Sequence, residues 1–338
     1  MSRPLRRLLT SLGVVALLLA LLAGAFLVSP WPGALVIRQV FDRGAQQASD
    51  ALRKHVPPGI VQHLGEVYDP ADPDARFDVY LPPPPADGAA RGPLPVVVWV
   101  HGGGWVSGSR GDIGNYARVL AGRGLAVVAV DYSIAPGAHY PTPVRQVNTA
   151  LRHLSMQAAR WGIDPDRIVL AGDSAGAHIA AQVANTIALP AYAVEVGVVP
   201  GLASRQLRGV VLFCGPYDLR KGRLNGPFGL FLRSVLWSYS GQRDFPSDRA
   251  FATASVIDHL TPDFPPAFIS AGNADPLLLQ SHDLAVRLST LRVRVETLFF
   301  PDDHVPALGH EYQFDLDQEA GQRALKEMVR FVEARVGQ

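Results

Sequence analysis

An apolar run with β-branched residues, a Gly-x-Ser-x-Gly pentad and an alanine-rich run follow one another without a spacer across residues 167–181, Arg-Ile-Val-Leu-Ala-Gly172-Asp-Ser174-Ala-Gly176-Ala-His-Ile-Ala-Ala. This stretch constrains the fold more tightly than any other. A buried strand must reverse into a helix within a few residues, which leaves no room for Cβ atoms beside the residue at the tip. Ser174 is expected at that tip. The pentad by itself is a weak signal, since roughly 0.1 to 0.2 chance matches are expected at ordinary residue frequencies. The elements around it must therefore carry the argument.

Those elements alternate. Residues 95–100, 125–131, 207–214, 266–272 and 293–300 are apolar runs of strand length, as is 168–171 before the pentad. They are nearly continuous rather than alternating, as parallel strands covered on both faces are. Helical patterns fall between them at about 112–121, 143–161, 175–189 and 277–291. A closing helix at 318–336 sets Leu325, Met328, Val329 and Val332 at i, i+3, i+4 and i+7. Residues 76–81 read as a further strand through the alternation of Phe77, Val79 and Leu81, and 82–92 is a Pro/Ala/Gly-rich connection. The predicted architecture is an α/β fold with a mostly parallel central sheet and helices on both faces.

Composition narrows the function. The chain has 338 residues and a net charge of +1, with no block of like charges in its body. A nucleic-acid binder would show a basic face, so none is expected as a partner. Cys214 is the only cysteine, which rules out an intramolecular disulfide and a Cys/His zinc cluster. It ends the apolar run 210–214 and is expected to be a buried, inert thiol.

Residues 1–33 stand apart. Arg3, Arg6 and Arg7 precede an uncharged stretch from Leu8 to Val28, then Ser29-Pro-Trp-Pro-Gly33. The length suits an uncleaved membrane anchor with Trp31 at the interface. Ala23-Gly-Ala25 instead suits a secretory signal cut at small residues. In both readings the basic end stays cytoplasmic and the remainder, residues 34–338, is exported. Within that domain two stretches are expected to contribute cap elements. One is 34–66, where Val36, Ile37, Val40, Phe41, Ala48 and Leu52 suit an amphipathic helix ending before Pro57. The other is 219–250, whose run 227–239 is rich in large apolar and aromatic side chains.

The chemistry gathers at strand carboxyl ends. Strand 95–100 runs into His101-Gly102-Gly103-Gly104-Trp105, whose glycines would expose backbone N–H donors of the kind that bind a developing oxyanion. The loop lacks the P-loop Lys-Ser/Thr and the G-x-G-x-x-G spacing. His101 is expected to orient the loop. Asp275 follows strand 266–272, and His304 and His310 follow the last strand. Asp173, adjacent to Ser174, cannot also stand behind a histidine and reads as structural. Phe228, Phe231, Leu232, Leu236 and Trp237 are expected, with Trp105, to line an apolar substrate pocket.

The order Ser174, Asp275, His310 is that of the α/β-hydrolases. The chain resembles the hormone-sensitive-lipase family of bacterial esterases over about residues 76–335: His101-Gly-Gly-Gly-Trp105 matches its HGGG motif, Gly172-Asp-Ser-Ala-Gly176 its GDSAG elbow, Asp131-Tyr-Ser-Ile-Ala-Pro136 its DY-x-x-AP segment and Asp275-Pro-Leu277 its DPL. The resemblance implies an α/β-hydrolase fold with a small helical cap and a serine carboxylesterase acting on small-molecule esters of short to medium acyl chain, without cofactor or metal. Ser174 would be the nucleophile, Asp275 the acid, His310 the base, and Gly102, Gly103 and Ala175 the oxyanion donors. The family's His-Gly-Phe after the last strand is altered here to Gly309-His310-Glu-Tyr312, with His304 as the competing candidate. His310 is favoured because it keeps an aromatic residue two positions on and stands at the right separation from the closing helix. An amidase or peptidase of the same fold, or a non-catalytic membrane-tethered binding protein, are the alternatives.

Overall fold

The computed structural model describes residues 3–85, 91–220 and 226–337, without the side chains of residues 8 and 226–228. Its eight strands are β1 (Val61–Val67), β2 (Arg76–Leu81), β3 (Leu94–Val100), β4 (Ala126–Val130), β5 (Ile163–Asp173), β6 (Leu207–Phe213), β7 (Ala267–Ser270) and β8 (Val295–Leu298). They form one sheet in the order β1-β2-β4-β3-β5-β6-β7-β8. Strands β1, β2 and β4 pair antiparallel, and every pairing from β4 through β8 is parallel. The fold is that of an α/β-hydrolase.

The apolar runs are buried on both faces. Val96, Val98 and Val100 of β3 join one core, as do Ile168 and Leu170 of β5, while Val97, Trp99, Val169 and Ala171 join the other. A strand's period of two sends neighbouring residues to opposite faces, so a run without polar interruptions requires two apolar layers. Helices α3 (Arg110–Ala121) and α10 (Glu319–Val336) supply the second layer. Helices α4 (Thr142–Met156), α5 (Ala175–Ala188), α6 (Pro190–Val196) and α9 (Leu278–Thr290) supply the first.

Three elements lie outside that sandwich. Helix α1 (Arg3–Val28) is among the described residues the one helix long and apolar enough to cross a membrane, with a mean hydropathy of 2.6 and none of that window buried. It meets α2 (Trp31–Leu52) at a corner of Ser29 and Pro30. Helix α7 (Gly226–Ser240) lies across α2 over the carboxyl end of the sheet, bringing Phe231 to within 5.7 Å of Phe41, ring centre to ring centre, and is followed by the short α8 (Arg249–Ala252).

One boundary needs correction. Of the stretch 34–66, expected to contribute cap elements, the helical part ends near residue 55, and Val61–Val67 forms β1, the edge strand of the sheet. Its polar residues Gln62, His63 and Glu66, and a bulge between His63 and Glu66 with Gly65 at φ +70°, hide the alternation that announces a strand.

The joint between sheet and α3 is ionic. Arg110 donates from Nε to Asp78 Oδ1 at 2.9 Å and from Nη1 to Asp131, tying β2 and the end of β4 to the helix start. Both carboxylates are mostly shielded, so removing their cation leaves charge without compensation. We predict that Arg110→Ala lowers the unfolding free energy by about 2 kcal/mol, discounted for the partly exposed guanidinium. A urea titration checks this, and a midpoint equal to that of the wild type would contradict it.

Candidate active site

Ser174 sits between β5 and α5 with φ +52° and ψ −123°, a conformation that an L-residue holds only when its surroundings enforce it. The enforcement is close packing. A Cβ on Gly176 would stand 2.1 Å from the Val100 carbonyl oxygen, so only glycine lets the first turn of α5 cross the end of β3. The hydroxyl is thereby lifted above the carboxyl end of the sheet. Ala175, as the first residue of α5, has a backbone N–H that the helix cannot satisfy internally.

The hydroxyl is met from above by His310, whose Nε2 lies 2.9 Å from Ser174 Oγ. The other ring nitrogen, Nδ1, lies 2.8 Å from Asp275 Oδ2. An ionised carboxylate only accepts, so Nδ1 carries the proton and donates it to Asp275, and Nε2 accepts from the serine. The side chain of Asp275 is fully buried, and its second oxygen accepts from the Leu277 N–H at 2.7 Å. Burial disfavours the imidazolium of His310, but the hydrogen-bonded Asp275 and the neighbouring Glu311 outweigh that and raise its pKa well above the ordinary histidine value. His304 lies on the outer loop, its Nδ1 3.0 Å from the Pro306 carbonyl and its ring edge-on to Phe300.

The glycine loop folds back on itself through N–H bonds from Val106 and Ser107 to the Gly103 carbonyl. Gly103 has φ +105°, and a Cβ there would collide with the Ser107 carbonyl oxygen at 2.2 Å. His101 is buried behind the loop, stacked on Tyr132 with ring centres 4.2 Å apart and donating from Nδ1 to the Gly102 carbonyl at 2.8 Å. Burial lowers its pKa. The Tyr132 hydroxyl donates to the carbonyls of His101 and Gly102 at 3.0 and 3.2 Å, which fixes both peptide groups.

Gly102, Gly103, Ser174, Ala175 and His310 all line one cavity of about 730 Å³. Trp105, Phe231, Leu232 and Leu236 line it too, with Trp105 stacked on Tyr239 at 4.8 Å. Phe228, expected in the same lining, has a side chain outside the described residues. Trp237 does not line the cavity. Phe231, Leu232, Val235 and Leu236 share one face of α7, and the next residue is rotated off it, its ring lying 5.6 Å under the Arg243 guanidinium.

Several residues of the site were missed by the sequence reading. Phe41 and Ala48 carry the helical pattern, but nothing in it shows that Arg38 donates to the carbonyls of Val106 and Ala135 at 2.7 and 3.0 Å, or that Asp42 accepts from Ser107 Oγ at 2.6 Å. Helix α2 thus clamps the glycine loop. Glu311, at φ +60°, takes the backbone conformation that glycine favours and shares a hydrogen bond with Asp173. The signal for it was the glutamate in place of the glycine of His-Gly-Phe. Asp173 accepts from Trp99 Nε1 at 2.6 Å, and burial, reinforced by Glu311, raises its pKa well above the usual carboxylate range.

A metal could be sought at Cys214, Asp275 and His310, whose ligand atoms lie within 4.8 Å of one another. Both ring nitrogens of His310 are already hydrogen-bonded, to Asp275 and Ser174, and burial pushes the Cys214 thiol up to about 11, so these three side chains make a poor ligand set. The arrangement can move a proton off a hydroxyl that faces an apolar cavity beside backbone donors.

Comparison with known proteins follows the same lines. The family model described as BD-FAE matches residues 77–288. The chain is 31% identical over 209 residues to an esterase of Gibberella moniliformis, covering 60% of this chain and 63% of that protein. It is 45% identical over 113 residues to carboxylesterase NlhH of Mycobacterium tuberculosis, covering 33% of this chain and 34% of that one. The match thus spans less than two thirds of either relative. Among solved structures, Esterase B of Lactobacillus rhamnosis with a tributyrin phosphonate superposes with a TM-score of 0.76 at 25% identity, over 90% of this chain and 96% of that one.

With His310 as the base, His310→Ala is expected to reduce turnover by about 10³- to 10⁴-fold and His304→Ala by less than about twofold. A base in this role would have to be neutral, so turnover is expected to fall as pH drops through a pKa above 6.5, the ordinary histidine value. Asp275→Asn should move that acid limb to lower pH. A pH-rate profile of the two proteins checks the direction; an unmoved limb would count against the relay.

Proposed function

The chain belongs to the BD-FAE family, and from that premise we propose that it is a serine carboxylesterase acting on short- to medium-chain acyl esters. Its esterase relatives and α/β-hydrolase neighbours agree with the resemblance to the hormone-sensitive-lipase family. The observation that carries the activity is the relay from Ser174 through His310 to Asp275 at the floor of an apolar cavity. The tributyrin phosphonate on Esterase B supports an acyl ester as the substrate class.

In this reading His310 Nε2 takes the Ser174 proton as Oγ attacks the ester carbonyl carbon. The carbonyl π pair moves onto oxygen, where the N–H groups of Gly102, Gly103 and Ala175 receive it, each worth on the order of 3 kcal/mol. The tetrahedral adduct collapses, the carbon–alkoxide bond breaks and His310 returns the proton to the leaving alcohol. Water enters and loses a proton to His310 as its oxygen attacks the acyl carbon; the bond to Oγ then breaks, His310 returns the proton to Ser174 and the acid is released. Asp275 holds the tautomer throughout and stabilises the imidazolium.

Residues 34–338 form the hydrolase domain in this proposal, with α2 and the stretch 219–250 as its cap. Helix α1 either remains as an anchor, with Arg3, Arg6 and Arg7 on the cytoplasmic side and the domain outside, or is cut as a signal near Ala23-Gly-Ala25. A series of p-nitrophenyl esters of rising acyl length, with the matching anilides, tests the activity. Wild type is expected to hydrolyse the esters, with Ser174→Ala slower by about 10⁴-fold or more. Equal rates for the two proteins would exclude the serine mechanism, and faster hydrolysis of the anilides would mark an amidase.

A further inference from the structure

The helix that follows α1 is also a wall of the active-site cavity. Val40, Phe41 and Ala48 of α2 line it, and the corner at Ser29 and Pro30 is all that separates α2 from α1. The outward face of α2 divides sharply along its length. Over the first ten residues it exposes Trp31, Leu35, Val36 and Val40, at 46%, 52%, 56% and 62%, interrupted only by Gln39. Beyond Val40 the exposed side chains, apart from Ala48 and Ala51, are polar or charged: Asp42, Arg43, Gln46, Gln47 and Asp50. At 1.5 Å per residue the apolar part is about 15 Å long and begins where the unburied helix α1 ends.

Water is a poor surrounding for that face, and a bilayer holding α1 would supply the right one. Trp31 stands at the junction, where an amphipathic ring suits the headgroup level. The change from Val40 to Asp42 would then mark the waterline, with basic Arg43 just above it. Val40 belongs both to the exposed apolar stripe and to the cavity lining, so the cavity reaches the surface at the end of that stripe. Leu279, at the start of α9, is likewise 75% exposed while lining the cavity.

We propose that the apolar face Trp31–Val40 lies in the bilayer that holds α1, and that the enzyme draws its substrate, an acyl ester resident in the same membrane, laterally through the mouth at Val40. The proposal rests on the esterase reading. It names the substrate class as lipid esters whose acyl chains pass from hydrocarbon to the apolar cavity without crossing water. The hydroxyl of Ser174 waits at the cavity floor for the ester group.

Full-length enzyme reconstituted into phosphatidylcholine vesicles tests this, with a fluorogenic long-chain diacylglycerol placed either in the same bilayer or in separate enzyme-free vesicles. A soluble butyrate ester reports basal activity. Turnover of the diacylglycerol should be faster by about tenfold or more in the shared bilayer. Leu35→Glu/Val36→Glu, at two positions outside the cavity lining, should lower the shared-bilayer rate by about tenfold and change butyrate turnover by less than about twofold. The milder Leu35→Gln/Val36→Gln should fall between. Equal diacylglycerol rates from both vesicle pools, or a shared-bilayer rate indifferent to the substitutions, would overturn the proposal. So would a cross-linked dimer lost on substitution at unchanged rate, which would make the face a contact between copies. No butyrate turnover by wild type would instead remove the esterase reading itself, and the proposal with it.

Discussion

The site depends on one contact between backbones: the first turn of α5 against the end of β3. Val100 pairs with Gly172 in the register of β3 and β5, so the two strands finish level with each other. Gly176 then crosses the Val100 carbonyl at a distance that admits no side chain. Two consequences follow from this single approach. Ser174 is forced into a left-handed backbone conformation with its hydroxyl raised, and the glycine loop leaving β3 emerges beside it. Neither the hydroxyl nor the donors would meet the same atom if the register slipped by one residue, because a slip sends every side chain to the opposite face.

The loop must also be held, since three successive glycines have little conformational preference of their own. Its inner side is fixed by Tyr132, which ties the carbonyls of His101 and Gly102, and its outer side by Arg38 and Asp42 of α2. Preorganised donors stabilise charge only if they need not reorient when it appears. Helix α2 therefore does more than cover the cavity. Because it also adjoins α1, whatever fixes α1 in place is two hydrogen bonds from the proposed oxyanion donors.

Much of this was legible in the sequence where a local pattern decides the structure. The runs at 95–100 and 168–171 read as strands buried on both faces because their apolar residues are uninterrupted, and the structure splits each between two cores. The strand at 76–81 was found from its alternation, with bounds that coincide with β2. What escaped depends on distant contacts. Strand β1 carries polar residues because it is an edge with water on one side, and its bulge breaks the period of two. Trp237 looked like a pocket residue by size, but a helix has only one face toward the cavity and its rotation follows from packing. Arg38 and Asp42 fall among the polar positions of an amphipathic pattern, and only the loop some 65 residues away gives them partners.

The acids around His310 show how burial separates residues of the same type. Asp275 and Asp173 both stand within the reach of the imidazole, and both are buried. Asp275 accepts from His310 and from the Leu277 N–H. Asp173 accepts from Trp99 but faces Glu311, and two neighbouring carboxyls in a dry site favour sharing one proton over carrying two charges. The pair can thus hold a single negative charge next to the glycine loop instead of two. A doubly charged pair there would oppose the oxyanion that the donors are arranged to receive. The glutamate standing where glycine usually follows the histidine is tolerated on this physical ground: Asp173, whose pKa burial raises, shares a hydrogen bond with it.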